Sequence, residues 1–141
     1  MQNNNSELTQ LLPGEPLRIG VDLIADKKSA ALIVIGSSAK LDKISSGGVD
    51  LIDCEYSPEM LSELAKMDGA IIVDQFVTKI IKANVHLNPS DTLSTTQTGT
   101  RHRTAERTAE ETNLTVITVS EESSIVKVFT NSETTELEEP S

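Results

Sequence analysis

Short apolar runs bounded by turn residues constrain the fold of this chain more than any other feature. The run from 30 to 35 is unbroken before Gly36, which is the pattern of a strand buried on both faces. Two further pairs of runs are each separated by a short polar segment, which predicts two β-hairpins. The predicted strands are 30–35, 49–52, 71–73, 78–87, 115–119 and 125–129.

Helical patterns alternate with these strands. Pro16 suits the first turn of a helix that extends to about residue 27. Ser57-Pro58-Glu59 opens another helix, with a capping hydroxyl, a proline at the first position and then an acid. Because the alternation lacks a strict βαβ rhythm, the sequence predicts an α/β fold. We expect a single globular domain with a central mixed sheet flanked by helices on both faces.

The predicted domain occupies residues 13–130, between a flexible N-terminus (1–12) and an acidic flexible tail (131–141). No apolar run approaches the roughly 20 residues needed to cross a bilayer. The lone Cys54 fits a reducing compartment, so we expect a soluble cytoplasmic protein. A formal net charge of −10 with 2% aromatic residues disfavours nucleic acid and anionic membranes as partners.

The segment from 99 to 112 predicts a helix with an unusual start. Thr100 is the predicted N-cap, and the first turn holds Arg101, His102 and Arg103 instead of the acids that a helix start attracts. Each basic group there costs roughly 0.3–1 kcal/mol unless an anion lies opposite. Free backbone N–H groups and guanidinium groups at one helix end suit phosphate. The segment therefore predicts a polyphosphate site.

Two motifs occur together in this chain. Asp68-Gly69-Ala70 opens a predicted strand, and Gly99-Thr100-Arg101-His102-Arg103 opens a helix some 30 residues later. Together they resemble the diadenylate cyclase family, whose signature is a DGA motif followed by an RHR motif. The segments 64–70 and 83–87 are similar to its DNA-integrity-scanning (DisA-type) branch.

The resemblance implies condensation of two ATP molecules into cyclic di-AMP with release of two pyrophosphates, supported by Mg²⁺ or Mn²⁺. The implied catalytic residues are Asp68, Arg101 and Arg103, and Asp68 is also an implied metal ligand at the ribose 3′-hydroxyl. The product has two-fold symmetry, so we expect a homodimer or higher homo-oligomer with subunits face to face. The implied ATP-binding residues are Gly69, Ala70, Leu87, Thr100, Arg101, His102, Arg103, Thr104 and Ser120.

The chain departs from the DisA-type pattern after Ser120, where Glu121 and Glu122 replace the expected basic or polar residues. This resembles the membrane-anchored branch of the family, although the metal-binding histidine of that branch is replaced here by Met67. We therefore hypothesise that Glu121 supplies metal coordination. The same acids support an alternative function, a catalytically silent ATP-binding sensor or assembly domain.

Plainer interpretations of the same residues stay open at the level of sequence. Asp68 could belong to an ordinary helix-to-strand turn. Arg101 and Arg103 could be surface charges paired with acids such as Glu106, and His102 could be a packing residue. A purely structural oligomerisation domain is a third function, but it leaves the two arginines and the aspartate unexplained.

Overall fold

The computed structural model describes residues 8–137. Its helices are α1 (Pro16–Asp26), α2 (Ala39–Ile44), α3 (Pro58–Leu64) and α4 (Thr100–Thr112). Its strands are β1 (Ala31–Ile35), β2 (Ser45–Ser46), β3 (Val49–Asp50), β4 (Ala70–Val73), β5 (Ile80–Leu87), β6 (Thr115–Val119), β7 (Val126–Phe129) and β8 (Thr134–Glu136). They form one sheet in the order β2-β5-β4-β1-β6-β7-β8, with β3 also paired to β5. Only the β1–β4 pair is parallel among the pairs of the described residues.

The sheet separates two apolar layers. Ile33 and Ile35 of β1 face the layer formed with α1 and α3, whereas Val34 faces the layer formed with α2 and α4. All three side chains are essentially inaccessible to solvent, which explains why the central strand lacks a polar face. The predicted α/β fold, a mixed sheet with helices on both faces, is confirmed.

The packed region extends past both predicted boundaries. Leu11 is buried, and its carbonyl accepts a 2.9 Å hydrogen bond from Nη1 of Arg18. At the other end β8 pairs with β7, and the Leu137 amide donates to the Val126 carbonyl. Ordered contacts therefore extend beyond the predicted domain of 13–130 into residues 8–12 and 131–137, while the flexibility of 1–12 and 131–141 stays a prediction. Residues 1–7 and 138–141 lie outside the described part.

The helix starts agree with the sequence in one case and differ in another. Ser57 caps α3, since its hydroxyl accepts a 3.0 Å hydrogen bond from the Met60 amide. The prediction of Thr100 as the cap of α4 was wrong: Gly99 is the N-cap, with φ +83°, and no side chain within residues 8–137 caps the helix. Glycine takes this positive φ without strain, so the cap moves back by one residue.

The pairing of β4 with β5 is irregular, and this irregularity decides on which face of the sheet the later half of β5 packs. Ala70 pairs with Val85, Ile72 with Lys82 and Val73 with Ile80, so β5 carries extra residues at two points. Ala83 consequently packs in the α1–α3 layer, whereas Val85 and Leu87 pack in the α2–α4 layer. An extra residue reverses the face that the following side chains occupy. No helix within residues 8–137 has the length and apolar character of a membrane span.

Candidate functional site

A cleft of about 650 Å³ opens at one end of the central strands of the sheet. It lies where the chain enters the parallel strands β1 and β4, beside the carboxyl end of β5. The first turn of α4 and the β6–β7 turn contribute Arg101 and Glu121 to its lining. Ligands of open α/β sheets usually bind at the carboxyl ends of the parallel strands. Here the antiparallel neighbours β5 and β6 bring their carboxyl ends to the amino ends of β1 and β4.

The cleft contains most of the residues that the sequence predicted for the site, although they come from distant parts of the chain. Those that line it are Asp68, Gly69, Ala70, Leu87, Thr100, Arg101, Thr104 and Glu121. The predicted residues His102, Arg103 and Ser120 are absent from its lining.

The Asp68-Gly69-Ala70 triplet forms one wall at the start of β4. Gly69 has φ +89°, and an added Cβ would lie 2.9 Å from the carbonyl carbon of Asn84 and from the carbonyl oxygen of Val85. The close approach of β5 therefore requires this glycine, independently of any bound molecule. Asp68 is held through its backbone, since its carbonyl accepts a 2.6 Å hydrogen bond from Nδ2 of Asn84.

The start of α4 forms another part of the lining. Thr100, Arg101 and Thr104 line the cleft, and the first turn contains no acidic residue. Among the described residues neither Arg101 nor Arg103 has an acidic partner within 4.0 Å. The interpretation of these arginines as paired surface charges therefore finds no partner in the described part. Free N–H groups and an unpaired guanidinium at a helix start favour an anion.

His102 turns toward the sheet. Its ring lies 6.2 Å from the ring of Phe129, and its Nε2 atom is buried without a hydrogen-bond partner among the described residues. Burial, followed by the nearby charges of Lys127 and Arg101, lowers the pKa of His102. A neutral ring packed on an aromatic side chain matches the plainer of the two interpretations of this residue.

The β6–β7 turn is attached to the end of α1. The Ser124 hydroxyl donates to the Ala25 carbonyl at 3.1 Å and accepts from Nζ of Lys28 at 3.4 Å. The Ser124 amide also donates to the Ser120 carbonyl at 2.9 Å. These contacts hold the turn beside the cleft, with Glu121 in the lining.

Two lysines of the cleft were missed at the level of sequence. Lys28 and Lys66 both line it, and Lys66 also forms an exposed 3.1 Å ion pair with Glu63. Each lysine shortly precedes one of the two parallel strands, and this position was the signal that could have found them. With Arg101 they give the cleft three cationic side chains beside the carboxylates of Asp68 and Glu121.

Arg107, the third arginine of α4, has a structural role. Nε of Arg107 donates to the Leu93 carbonyl at 2.9 Å. The Glu106 carboxylate accepts hydrogen bonds from the hydroxyls of Thr95 and Thr96 and from the Thr96 amide. Burial raises the pKa of Glu106, but these hydrogen bonds outweigh it and lower the pKa overall. Both side chains attach the loop before α4 to the helix itself.

Comparison with known proteins identifies similar sequences and folds. Residues 18–134 match the model of the DAC family, described as DisA bacterial checkpoint controller nucleotide-binding. The chain is 48% identical over 122 residues to the DNA integrity scanning protein DisA of Fusobacterium nucleatum, covering 86% of this chain and 35% of that protein. It is 45% identical over 134 residues to DisA of Acidothermus cellulolyticus, covering 95% and 36%. The chain thus spans about a third of the length of these curated relatives.

Two solved structures share the fold. The crystal structure of DacA from Staphylococcus aureus (N166C/T172C double mutant) has a TM-score of 0.69 and 26% identity, covering 96% of this chain and 89% of that one. A hypothetical membrane spanning protein from Bacillus cereus has a TM-score of 0.74 at 22% identity, covering 87% and 62%. The second likeness concerns the fold alone.

Proposed function

The chain belongs to the DAC family of DisA-type nucleotide-binding domains, and on this basis we propose that it is a diadenylate cyclase. In the proposed reaction the ribose 3′-oxygen of one ATP attacks the α-phosphorus of a second ATP. A new O–P bond forms, the bond from the α-phosphorus to the pyrophosphate oxygen breaks, and the 3′-proton leaves. The same exchange in the other direction closes cyclic di-AMP, with two pyrophosphates released.

The observation that carries this proposal is the meeting of Asp68 and the first turn of α4 in one cleft. Arg101 and the free N–H groups of that turn suit a triphosphate. Leu87, which is almost fully buried, offers an apolar contact for adenine. Asp68, at the start of β4, is assigned to the ribose 3′-hydroxyl. Thr100 and Thr104 add two hydroxyl groups to the lining.

The donor set of the cleft suits a hard divalent cation. Asp68 and Glu121 both line it, and no group of three or more His, Cys, Asp or Glu able to hold a metal occurs in the described part. Mg²⁺ is commonly bound by one or two carboxylates together with substrate phosphates. We therefore assign Asp68 and Glu121 as the protein ligands of Mg²⁺ or Mn²⁺. When bound, the cation would acidify the 3′-hydroxyl and neutralise phosphate charge.

Catalysis is proposed to require two copies of the chain face to face. The product has two-fold symmetry, so each copy presents one ATP to the other. Arg103 is exposed and lies outside the lining of its own cleft. We assign its guanidinium to the nucleotide held by the facing copy, which keeps it among the catalytic residues. Activity per subunit is then expected to fall on dilution.

The test is direct detection of product. Purified protein is incubated with ATP and Mn²⁺ or Mg²⁺, and the nucleotides are separated by chromatography. Wild type and the control Asp91→Asn, an exposed loop carboxylate away from the cleft, are expected to form cyclic di-AMP. Asp68→Asn is expected to form none. Equal amounts of cyclic di-AMP from Asp68→Asn and Asp91→Asn would contradict the role of Asp68.

A silent ATP-binding domain is the second candidate, and it is favoured by Glu121, which lines the cleft where the DisA-type pattern leads us to expect a basic or polar residue. This function predicts that ATP raises the melting temperature while no product forms at any protein concentration.

A further inference from the structure

Asn84 stands out because both its backbone and its side chain are used at the edge of the cleft. It has φ +58°, in the left-handed region that asparagine tolerates better than most residues. It lies between the Val85–Ala70 and Lys82–Ile72 pairs, at one of the two points where β5 carries an extra residue. Its Nδ2 atom donates to the Asp68 carbonyl at 2.6 Å. Its side chain thus bridges β5 and the residue that precedes Gly69.

The extra residue decides which face of the sheet the end of β5 presents. Ala83 packs in the α1–α3 layer, yet Val85, two residues later, packs in the α2–α4 layer. In a regular strand residues two apart share a face. The left-handed conformation of Asn84 therefore puts Leu87 on the same face as the start of α4, where both line the cleft.

The backbone around Asn84 is packed tightly from two sides. A Cβ on Gly69 would lie 2.9 Å from its carbonyl carbon, and a Cβ on Gly48 would lie 3.2 Å from its carbonyl oxygen. Both glycines have positive φ. This packing holds Gly69 against β5, and the Asn84 hydrogen bond holds the carbonyl of Asp68, one residue earlier.

We propose that Asn84 is a positioning residue, which fixes the Asp68 backbone against β5 and thereby aligns Asp68 with a nucleotide whose adenine contacts Leu87. The proposal rests on the proposed function, because this alignment matters only if a nucleotide binds between Asp68 and Leu87. Asn84 need not touch the substrate itself. Its loss is expected to affect the chemical step more than the binding of ATP, since the cleft walls and the α4 start remain.

The test compares two variants that keep the left-handed backbone. Asn84→Gly removes the amide, and Asn84→Asp keeps the shape but cannot donate when ionised. Both are expected to lower kcat for cyclic di-AMP formation between about tenfold and a hundredfold, with KM for ATP within about twofold of wild type. The control is Asn113→Gly, which removes another left-handed asparagine at the far end of α4 and leaves kcat unchanged.

A second readout is independent of catalysis. Backbone ¹⁵N order parameters at residues 67–70 are expected to fall from about 0.85 toward 0.6 in both variants and to stay high in Asn113→Gly. Unchanged kcat in an active protein, or a KM that rises as much as kcat falls, would overturn the positioning role. If wild type forms no cyclic di-AMP, the proposed function fails separately. The order parameters then decide alone, and unchanged values would refute the role of Asn84.

Discussion

Gly69→Ala is the substitution whose cost follows most directly from the structure. A residue with a side chain at φ +89° pays about 1–2 kcal/mol for the left-handed backbone. The new methyl group would lie 2.9 Å from two backbone atoms of β5 that cannot rotate away, and overpacking of this kind adds about 1–3 kcal/mol. Allowing for the smaller entropy of the unfolded alanine chain, we expect a net loss of about 2–4 kcal/mol.

Gly14→Ala provides a matched control. Gly14 has φ +91°, almost the same as Gly69, but no atom of the described residues lies within 4 Å of an added Cβ. Its substitution is therefore expected to cost about 1 kcal/mol or less. Urea unfolding followed by circular dichroism gives both free energies, provided the m-value is unchanged. If the two variants differed by less than about 0.5 kcal/mol, the contact between Gly69 and β5 would not constrain the fold as argued.

Three further predictions concern single side chains. Tyr56→Phe removes the 2.7 Å hydrogen bond to the Pro16 carbonyl and is expected to cost about 1–2 kcal/mol in thermal unfolding. Burial, and then the charge of Glu59, raise the pKa of Tyr56. The difference in stability between wild type and Tyr56→Phe should therefore be complete below pH ~10 and disappear as the pH rises further. A stability difference that persisted at higher pH would contradict this prediction. Glu106→Gln is expected to lower the melting temperature at pH 7, and because the pKa of Glu106 is lowered in the fold, the difference should vanish as the pH falls below about 4. Arg101→Ala is expected to weaken ATP binding roughly tenfold to a hundredfold by calorimetry, and an affinity equal to that of Glu110→Ala would refute its assignment.

The central strands could be predicted from sequence because their signals are local, whereas the residues assigned to the cleft came from the resemblance of two motifs to a known family. The run ending at Ile35 is apolar on both faces, and a strand of that kind must lie inside a covered sheet. The motifs around Asp68 and Arg101 each begin an element, but no local feature of the sequence brings them together. Their proximity depends on the pairing of β1 with β4 and with β6, the strand that follows α4.

What the sequence did not reveal depends on contacts between distant segments. The left-handed Asn84 lies in a run that reads as an ordinary strand, because the extra residue is defined only by the pairing with β4. Glu106 was read as a partner for arginine, whereas its carboxylate holds Thr95 and Thr96. Thr100 has a better capping side chain than Gly99, yet the chain needs a positive φ there, which glycine supplies.

The order of strands in the sheet has a consequence for synthesis of the protein. β1 lies between β4 and β6, and β6 is among the later strands to be made. Residues that line the cleft run from Lys28 to Glu121. A nascent chain that has emerged only as far as α4 therefore exposes one edge of its central strand and lacks the last wall of the cleft. At about 5–20 residues per second, this interval lasts a few seconds or less. Under the proposed function, nucleotide would therefore stabilise completed domains and not their growing precursors.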